Sequence, residues 1–387
     1  MTPIPTPAPS APLRIVEVNG ASALGDFIAV PRGIFESDPA WIQPLSLERR
    51  LHLSERGNPY FQHARWQAWT AWREGRPVGR ISAQIDDLHI ERYHDATGFF
   101  GMLDAEDNQE TFGALLETAE RWLGEQGMRR IRGPFNLSIN QEMGVLVDGF
   151  DTPPFFMMGH ARPYYAMRIE NAGYRKAADA LAYSITQDYG SEAMRRLIAA
   201  TAHRAKVRPL DLKRFDAELS LLRDIFNDAW AENWGFVPFT AAEFADLGRA
   251  FRFLVDADMI QIAEVDGEAA AFMVLLPNIN EAIRGLDGRL FPVGWARLLW
   301  RLKVRYPTTF RVPLMGVRRR FQRSRLGSAL AFHVIEAARP SVIRHHAKEI
   351  ELSWILEDNA GMRSIIESIG GRAYKRYRVY ERALDAR

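Results

Sequence analysis

The sequence predicts a mixed α/β protein built from two similar halves. Strand-like runs alternate with helical stretches along the chain, and the same order of elements occurs twice. The 387 residues exceed what one typical core needs, and a hydrophobic content of 47% can supply two buried sheets. We therefore expect an N-terminal domain over residues 13–189 and a C-terminal domain over 190–387. The proline-rich residues 1–12 are expected to form a disordered tail.

The first half begins with a predicted β-hairpin. Residues 64–72 alternate aromatic with small side chains, as a strand does, and a turn then leads into a second strand. Further on, an amphipathic pattern predicts a helix over 110–125 that Gly127 ends. In order, the strands are predicted at 64–72, 77–85, 97–104, 129–135 and 179–186, and the helices at 110–125 and 164–174.

The second half repeats this order. A hairpin is followed by a central strand, a long helix, a strand, a short helix that ends at a glycine, and a last strand. A mostly helical segment, 190–255, joins the halves. The predicted strands are 259–265, 268–277, 310–317, 348–355 and 373–384, and the helices are 324–338 and 359–371.

A basic loop precedes the long helix of the second half. Gln322, Arg325 and Gly327 lie in this loop, and Gly327 and Ser328 let a ligand approach the backbone closely. A helix N-terminus offers unpaired N–H groups and a positive dipole end, which favour phosphate. Positive charge near this point comes from Arg318, Arg319, Arg320, Arg323 and Arg325.

This loop resembles the phosphate-binding loop of the GNAT acyltransferases, whose pattern is Gln/Arg-x-x-Gly-x-Gly/Ala between a strand and a helix. Arg325 takes the place of the middle glycine. The resemblance implies two tandem GNAT folds and acyl-CoA as co-substrate, without a metal. It implies that the acyl-CoA site consists of Met315, Gly316, Val317, Gln322, Arg323, Arg325, Leu326, Gly327, Ser328 and Asn359.

The family resemblance also concerns the acid that protonates the departing thiolate. Many GNAT proteins carry a tyrosine for this step on the helix after Asn359, and Ile366 stands at that position here. The last strand contains three other tyrosines, of which Tyr380 is one candidate acid. The first half has four carboxylates within 101–115 where the second half is basic, so repulsion disfavours a pyrophosphate there. We therefore expect acyl-CoA on the second half and part of the acceptor cleft on the first.

An unusual insertion, 133–165, sets polar side chains among aromatic and methionine residues, a pattern typical of a specific lipid-like site. Glu142 and His160 are candidates for the general base, and each could equally be structural. Tyr164 is a further candidate catalytic residue. The residues predicted to bind the acceptor are Asn136, Asn140, Tyr165, Asn233 and Trp234.

The insertion, the segment 232–238 and the tandem pattern together resemble the bacterial ceramide synthase group of GNAT-like proteins, over roughly residues 13–384. The resemblance implies transfer of a fatty acyl group from a long-chain acyl-CoA to the amine of a sphingoid base. Three alternatives stay open. They are an acyl- or acetyltransferase for another amine, a tRNA-dependent aminoacyltransferase, and a non-catalytic acyl-CoA or lipid-binding protein.

Composition limits the cysteine chemistry, the partners and the location that can be expected for the protein. Without cysteine the chain has no disulfide, thiol nucleophile or zinc–cysteine site, and its net charge of +2 gives no reason to expect a nucleic acid partner. We expect a cytoplasmic protein. Residues 289–305 combine basic and large apolar side chains without any acid, which favours peripheral contact with the inner membrane. Packing of this segment on the domain is the alternative.

Overall fold

The computed structural model describes residues 12–384, so residues 1–11 of the predicted tail lie outside the described part of the chain. The strands are β1 (Arg14–Glu17), β2 (Ala64–Arg73), β3 (Arg76–Asp86), β4 (Thr97–Ala105), β5 (Arg130–Gly133), β6 (Val145–Asp148), β7 (Arg175–Ile185), β8 (Ala205–Pro209), β9 (Ile260–Val265), β10 (Glu268–Pro277), β11 (Thr309–Val317), β12 (Glu349–Leu356) and β13 (Arg372–Ala383). The helices are α1 (Gly20–Phe35), α2 (Ser46–His52), α3 (Asp87–Tyr93), α4 (Gln109–Glu125), α5 (Tyr164–Asn171), α6 (Glu192–Thr201), α7 (Phe215–Trp230), α8 (Ala241–Phe251), α9 (Ile279–Ile283), α10 (Gly294–Trp300), α11 (Arg319–Gln322), α12 (Arg325–Ala337), α13 (Arg339–Arg344) and α14 (Ala360–Ser368).

The mixed α/β class and the duplicated order of elements are confirmed. Both hairpins form, as β2–β3 and β9–β10, and each half then has a strand, a long helix and a parallel strand. The joining segment is helical as predicted, apart from the edge strand β8, which pairs with β9. The helices α1 and α2, which were not predicted, cover the first half.

The strands of both halves form one continuous sheet. Its order is β1-β2-β3-β4-β5-β13-β7-β12-β11-β10-β9-β8, and β6 pairs with β13 at the side. The last strand of each half therefore completes the sheet of the other: β13 lies against β5, and β7 lies against β12. The two predicted domains share this seam, because β7 and β13 also pair with each other.

A buried ion cluster stabilises the seam. Asp179 on β7 is fully buried and accepts hydrogen bonds from Arg376 and Arg378 of β13. Burial alone would raise the pKa of Asp179, but its bonds with Arg378, Arg376 and Lys176 hold this pKa below its usual range. The carboxylate therefore remains charged and links β7 to β13.

The second half opens its sheet between β11 and β12. These parallel strands pair only from Thr309 to Val312 with Glu349 to Leu352. Pro313 follows directly, and it has no N–H to continue the ladder. Beyond this proline the strands diverge, while β11 keeps its pairing with β10. The helix α12 packs on one face of this region and α7 and α8 pack on the other.

Candidate functional site

A cleft lies where β11 and β12 diverge. Its walls come from both strands, from the start of α12, from α14 and from the residues that follow α7. Eight of the ten residues predicted to bind acyl-CoA line it: Met315, Gly316, Val317, Gln322, Arg323, Gly327, Ser328 and Asn359. Arg325 and Leu326 do not line it, because Arg325 is exposed at the helix start and Leu326 is buried in the core.

The β11 edge presents backbone groups to the cleft. The Arg318 N–H bonds to the Ala270 carbonyl, and hydrogen-bonded pairs alternate along an antiparallel ladder. Met315 and Val317 therefore direct their N–H and C=O groups away from β10. Consistently, the Met315 carbonyl accepts from the Trp230 indole at 2.9 Å, and the Val317 carbonyl accepts from the Gln322 amide at 2.8 Å.

The loop before α12 is held in a defined conformation. Gln322 also donates to the Ala229 carbonyl at 2.8 Å, which fixes the loop to the end of α7. Ser324 caps α12 by accepting from the Gly327 N–H at 3.2 Å. A Cβ on Gly327 would lie 2.2 Å from the Phe321 carbonyl oxygen, so only glycine allows the loop to pass so close to the helix. The result is an ordered helix N-terminus facing the cleft.

Most of the arginines predicted to surround this loop form ion pairs with carboxylates. Arg318 reaches Asp224, Arg319 reaches Asp228 and Arg320 reaches Glu268, while Arg323 contacts Glu232 at 3.5 Å. These pairs are at the surface, where such contacts are weak and exchange readily. The side chain of Arg323 is 93% exposed, so it is free to turn toward a phosphate.

A second, apolar cavity lies on the face of the sheet covered by α7 and α8. Its lining is almost entirely hydrophobic, with Leu222 and Phe226 from α7, Phe244 from α8 and Leu276 from β10 among the walls. Trp230, Pro313 and Trp354 line both this cavity and the cleft. The polar cleft and the apolar cavity therefore meet at the point where the strands diverge.

In the first half, the corresponding opening is filled by the chain itself. The parallel strands β4 and β5 pair only from Thr97 to Phe99, as in the second half. Beyond that point the insertion runs against β4: Phe135 donates its N–H to the Phe100 carbonyl at 2.8 Å, and the Asn136 side chain accepts from the Met102 N–H at 2.6 Å. A Cβ on Gly101 would lie 1.8 Å from the Phe135 carbonyl oxygen. The inserted residues therefore occupy the space beside β4 that corresponds to the open space beside β11.

The four predicted catalytic residues do not line either cavity. Glu142 pairs with Arg49 at 3.2 Å; burial would raise its pKa, but Arg49 holds that pKa below its usual range. His160 bonds to Asp38 at 3.0 Å, and burial lowers the pKa of this histidine. Tyr164 and Tyr380 are engaged in the first half. Their hydroxyls donate to the Ala105 carbonyl and to Glu170, respectively, and burial raises both pKa values.

The residues predicted to bind the acceptor divide into two groups. Asn233 and Trp234 line the cleft, and Asn140 lines the apolar cavity. Asn136 instead holds the inserted chain, because its amide also donates to Glu142 at 2.7 Å. Tyr165 is buried in the first core, where its hydroxyl accepts from the Ala105 N–H at 3.2 Å.

A buried polar network lies at the point of divergence, and sequence reasoning missed it. Ser353, which lines the cleft, donates to Glu351 at 2.8 Å and accepts from Arg311 Nε at 3.1 Å. Tyr374 also donates to Glu351. Burial raises the pKa of Glu351, although Arg311, Tyr374 and Ser353 act against this shift. The available signal was a charged residue in the buried part of each of two largely apolar strands, Arg311 in β11 and Glu351 in β12.

Two further features of the described residues bear on the site. Between residues 12 and 384, no set of three or more histidine, aspartate or glutamate side chains is grouped so that it could hold a metal ion. Over the same residues, no helix has the length and apolar character required to cross a membrane.

Comparison with known proteins gives clear relatives, although no family model matches the chain. The chain is 51% identical over 360 residues to protein YghO of Escherichia coli (strain K12), covering 92% of each chain. It is 45% identical over 384 residues to the bacterial ceramide synthase of Caulobacter vibrioides, covering 98% of this chain and 100% of that protein. Its fold matches a tandem GNAT protein from the clavulanic acid biosynthesis pathway with a TM-score of 0.56 at 14% identity, over 97% of this chain and 99% of the other.

Proposed function

This chain belongs to the family of the bacterial ceramide synthase and is an acyltransferase with tandem GNAT folds; we propose that it transfers a fatty acyl group from acyl-CoA to the amine of a sphingoid base. The observation that carries this proposal is the junction of the polar cleft with the apolar cavity at Trp230, Pro313 and Trp354. A thioester bound in the cleft has an adjoining apolar space for its alkyl chain. Each buried methylene would contribute about 0.8 kcal/mol to binding.

In this proposal the helix start and its loop hold the phosphates of acyl-CoA. The N–H groups at the start of α12, apart from that of Gly327, which bonds to Ser324, and the dipole of this helix favour the pyrophosphate. Arg323 and Ser328 line the cleft beside it and can bond to phosphate oxygens. The first half serves as acceptor side and scaffold, because its own opening is filled by residues of the insertion.

The reaction needs a polarised thioester and a neutral amine. The Met315 and Val317 N–H groups face the cleft and can bond to the carbonyl oxygen as it gains negative charge. The amine nitrogen attacks the thioester carbon, and the C–S bond breaks as the amide forms. The amine loses one proton and coenzyme A leaves as its thiol, so the atoms balance.

We assign the proton acceptor to Glu351, acting through Ser353. Among the described residues, Glu351 is a buried carboxylate joined to the cleft by a hydroxyl hydrogen bond, and its raised pKa makes it a stronger base than an ordinary glutamate. Ile366 lines the cleft where many GNAT proteins have a tyrosine acid. A thiolate is a good leaving group even without a dedicated acid, since an ordinary thiol has a pKa of only about 8.5.

The exposed apolar segment near the cavity favours contact with a membrane surface. Phe291 is 75% exposed, Val304 70% and Phe253 76%, and residues 289–305 include no acid. Phe253 follows Phe251 and Arg252, which line the apolar cavity, and Lys303 donates to the Phe253 carbonyl. An anionic bilayer would bind such a surface through burial of its aromatic side chains and through its charge. We propose a peripheral position on the inner membrane.

The function is tested by incubating the purified protein with a long-chain acyl-CoA and a sphingoid base. We expect N-acylated lipid and an equal amount of free thiol. The variant Ser328→Glu places a carboxylate at the start of α12 without a backbone clash, and we expect it to raise KM for acyl-CoA by about ten-fold or more. Gly124→Glu, on the exposed end of α4, is the matched control. Acyl-CoA that binds without turnover would instead favour a non-catalytic binding protein.

A further inference from the structure

Two hydrogen-bond donors at the junction of the cleft and the cavity have no acceptor among the described residues. One is Arg311 Nη2 and the other is the Trp354 indole N–H, and both atoms are buried. Arg311 is 1% exposed and lines the apolar cavity, while Trp354 lines the cavity and the cleft. A buried donor without a partner costs about 1–3 kcal/mol, so such groups are normally satisfied.

The surrounding contacts fix these donors in place. Arg311 Nε bonds to Ser353, and its Nη1 bonds to the Phe156 carbonyl, so the guanidinium plane cannot turn freely. The carbon of this guanidinium lies 4.8 Å from the centroid of the Trp354 ring. The two side chains therefore form one rigid unit beside the junction of the cleft and the cavity, where the proposed function brings the amine to the thioester.

The chemistry of the unit selects its ligand. Guanidinium and indole N–H groups only donate, so the ligand must present an oxygen acceptor. The thioester oxygen already has donors in the Met315 and Val317 N–H groups on the opposite strand. The remaining group near the reacting nitrogen is an oxygen carried by the acceptor itself, on a carbon next to the one that bears the amine.

We propose that Arg311 and Trp354 form an oxygen-binding site that selects long-chain amines with a hydroxyl or carbonyl oxygen beside the amine over plain alkylamines. This inference rests on the proposed function and specifies which acceptors that function accepts. The two side chains act as specificity residues. A plain alkylamine leaves both donors buried and unpaired in the complex, and an enzyme site built this way rejects such an analogue strongly.

The test compares kcat/KM for a sphingoid base and for an alkylamine of equal chain length, with one acyl-CoA. Trp354→Phe removes only the indole N–H and keeps the ring beside the guanidinium. Arg311→Lys keeps the charge beside Glu351 and removes the fork of donors. Trp66→Phe is the matched control, because Trp66 also has a buried indole N–H without an acceptor and lines neither cavity.

We expect Trp354→Phe and Arg311→Lys each to lower kcat/KM for the sphingoid base by about ten-fold or more, which is the loss of one good hydrogen bond. The readout is therefore the ratio of kcat/KM for the sphingoid base to kcat/KM for the alkylamine, which should fall in both variants. Arg311→Lys also lowers activity with the alkylamine, because Arg311 bonds to Ser353 beside Glu351, and Trp66→Phe changes neither value. Equal losses for both amines would overturn the inference, because the donors would then serve the thioester or the fold. Unchanged activity with both amines would also overturn it. A wild-type protein that acylates neither amine would instead contradict the proposed function itself.

Discussion

The size of the apolar cavity predicts which acyl chains the protein accepts, and Gly248 on α8 is the position at which to change it. Gly248 lines the cavity, and a Cβ there would lie 2.5 Å from a terminal methyl of Leu219, another lining residue. Gly248→Leu would push this flexible side chain inward and add four carbons, which take the room of about four methylenes. At about 0.8 kcal/mol for each methylene, the lost binding is ~3 kcal/mol, or roughly 200-fold in kcat/KM.

The assay is kcat/KM for a series of acyl-CoA substrates that differ only in chain length. We expect Gly248→Leu to lower kcat/KM for long acyl chains by that factor and to leave kcat/KM for short chains as in the wild type. The preferred acyl chain length therefore becomes shorter. Gly113→Leu, at an open helix position on α4, controls for a leucine in place of a helical glycine. The same length preference in both variants would refute the assignment of the cavity. A shortened preference for the amine, but not for the acyl chain, would show that the cavity holds the acceptor.

Three other outcomes follow from the structure. Glu351→Gln should lower kcat by about 10²–10⁴-fold. In a pH–rate profile, the wild type should lose activity as pH drops through the raised pKa of Glu351, and the variant should not. An unchanged profile would exclude Glu351 as the base. His63 bonds to Asp86 at 3.1 Å and lies 3.4 Å from Glu243 on α8, and its pKa is raised from 6.5 to about 10. The charged imidazole therefore stabilises the folded state fully below pH 6.5, and this stabilisation is lost as pH rises through about 10. His63→Gln should therefore lower the free energy of unfolding by about 1–3 kcal/mol near pH 7 and by less at high pH, in denaturant titrations; an equal loss at every pH would contradict this account. Phe291→Ser should weaken binding to anionic vesicles in flotation assays and should leave acylation of soluble substrate intact, whereas equal binding by the wild type and the variant would argue against this surface.

Periodicity predicted most of the strands and helices of the second half, and the resemblance to the GNAT loop added the residues expected to bind acyl-CoA. Gly327 and the strand before it were placed correctly because a strand, a tight loop and a helix start each have a local signature. The wall of the cleft follows from that local order, so eight of the predicted acyl-CoA residues lie together. Such contacts depend on neighbours in sequence, which a single chain displays directly.

The pairing of β7 and β13 with the sheet of the opposite half could not be predicted in this way. Strand order depends on pairing between residues nearly two hundred positions apart, and both strands read equally well as the last strand of their own half. The positions of Glu142 and His160 were beyond prediction for the same reason. Their partners are Arg49 on α2 and Asp38 between α1 and α2, which are 93 and 122 positions away in sequence.

The role of the junction could have been inferred from Pro313, the residue that ends the pairing of β11 with β12. A proline within an otherwise apolar central strand marks a place where the ladder must stop. Arg311 and Glu351 gave a second signal, since charged residues inside buried strands need each other as partners. What the sequence could not provide was the apolar cavity, because its walls come from helices and strands of distant parts of the chain.

The most direct test of the account is a structure of the protein bound to a non-hydrolysable long-chain acyl-CoA analogue. We expect the pyrophosphate at the start of α12, the thioester carbonyl beside the Met315 and Val317 N–H groups, and the alkyl chain passing Pro313 into the apolar cavity. A pyrophosphate bound to the first half, or an alkyl chain that leaves the cleft without entering the cavity, would contradict it.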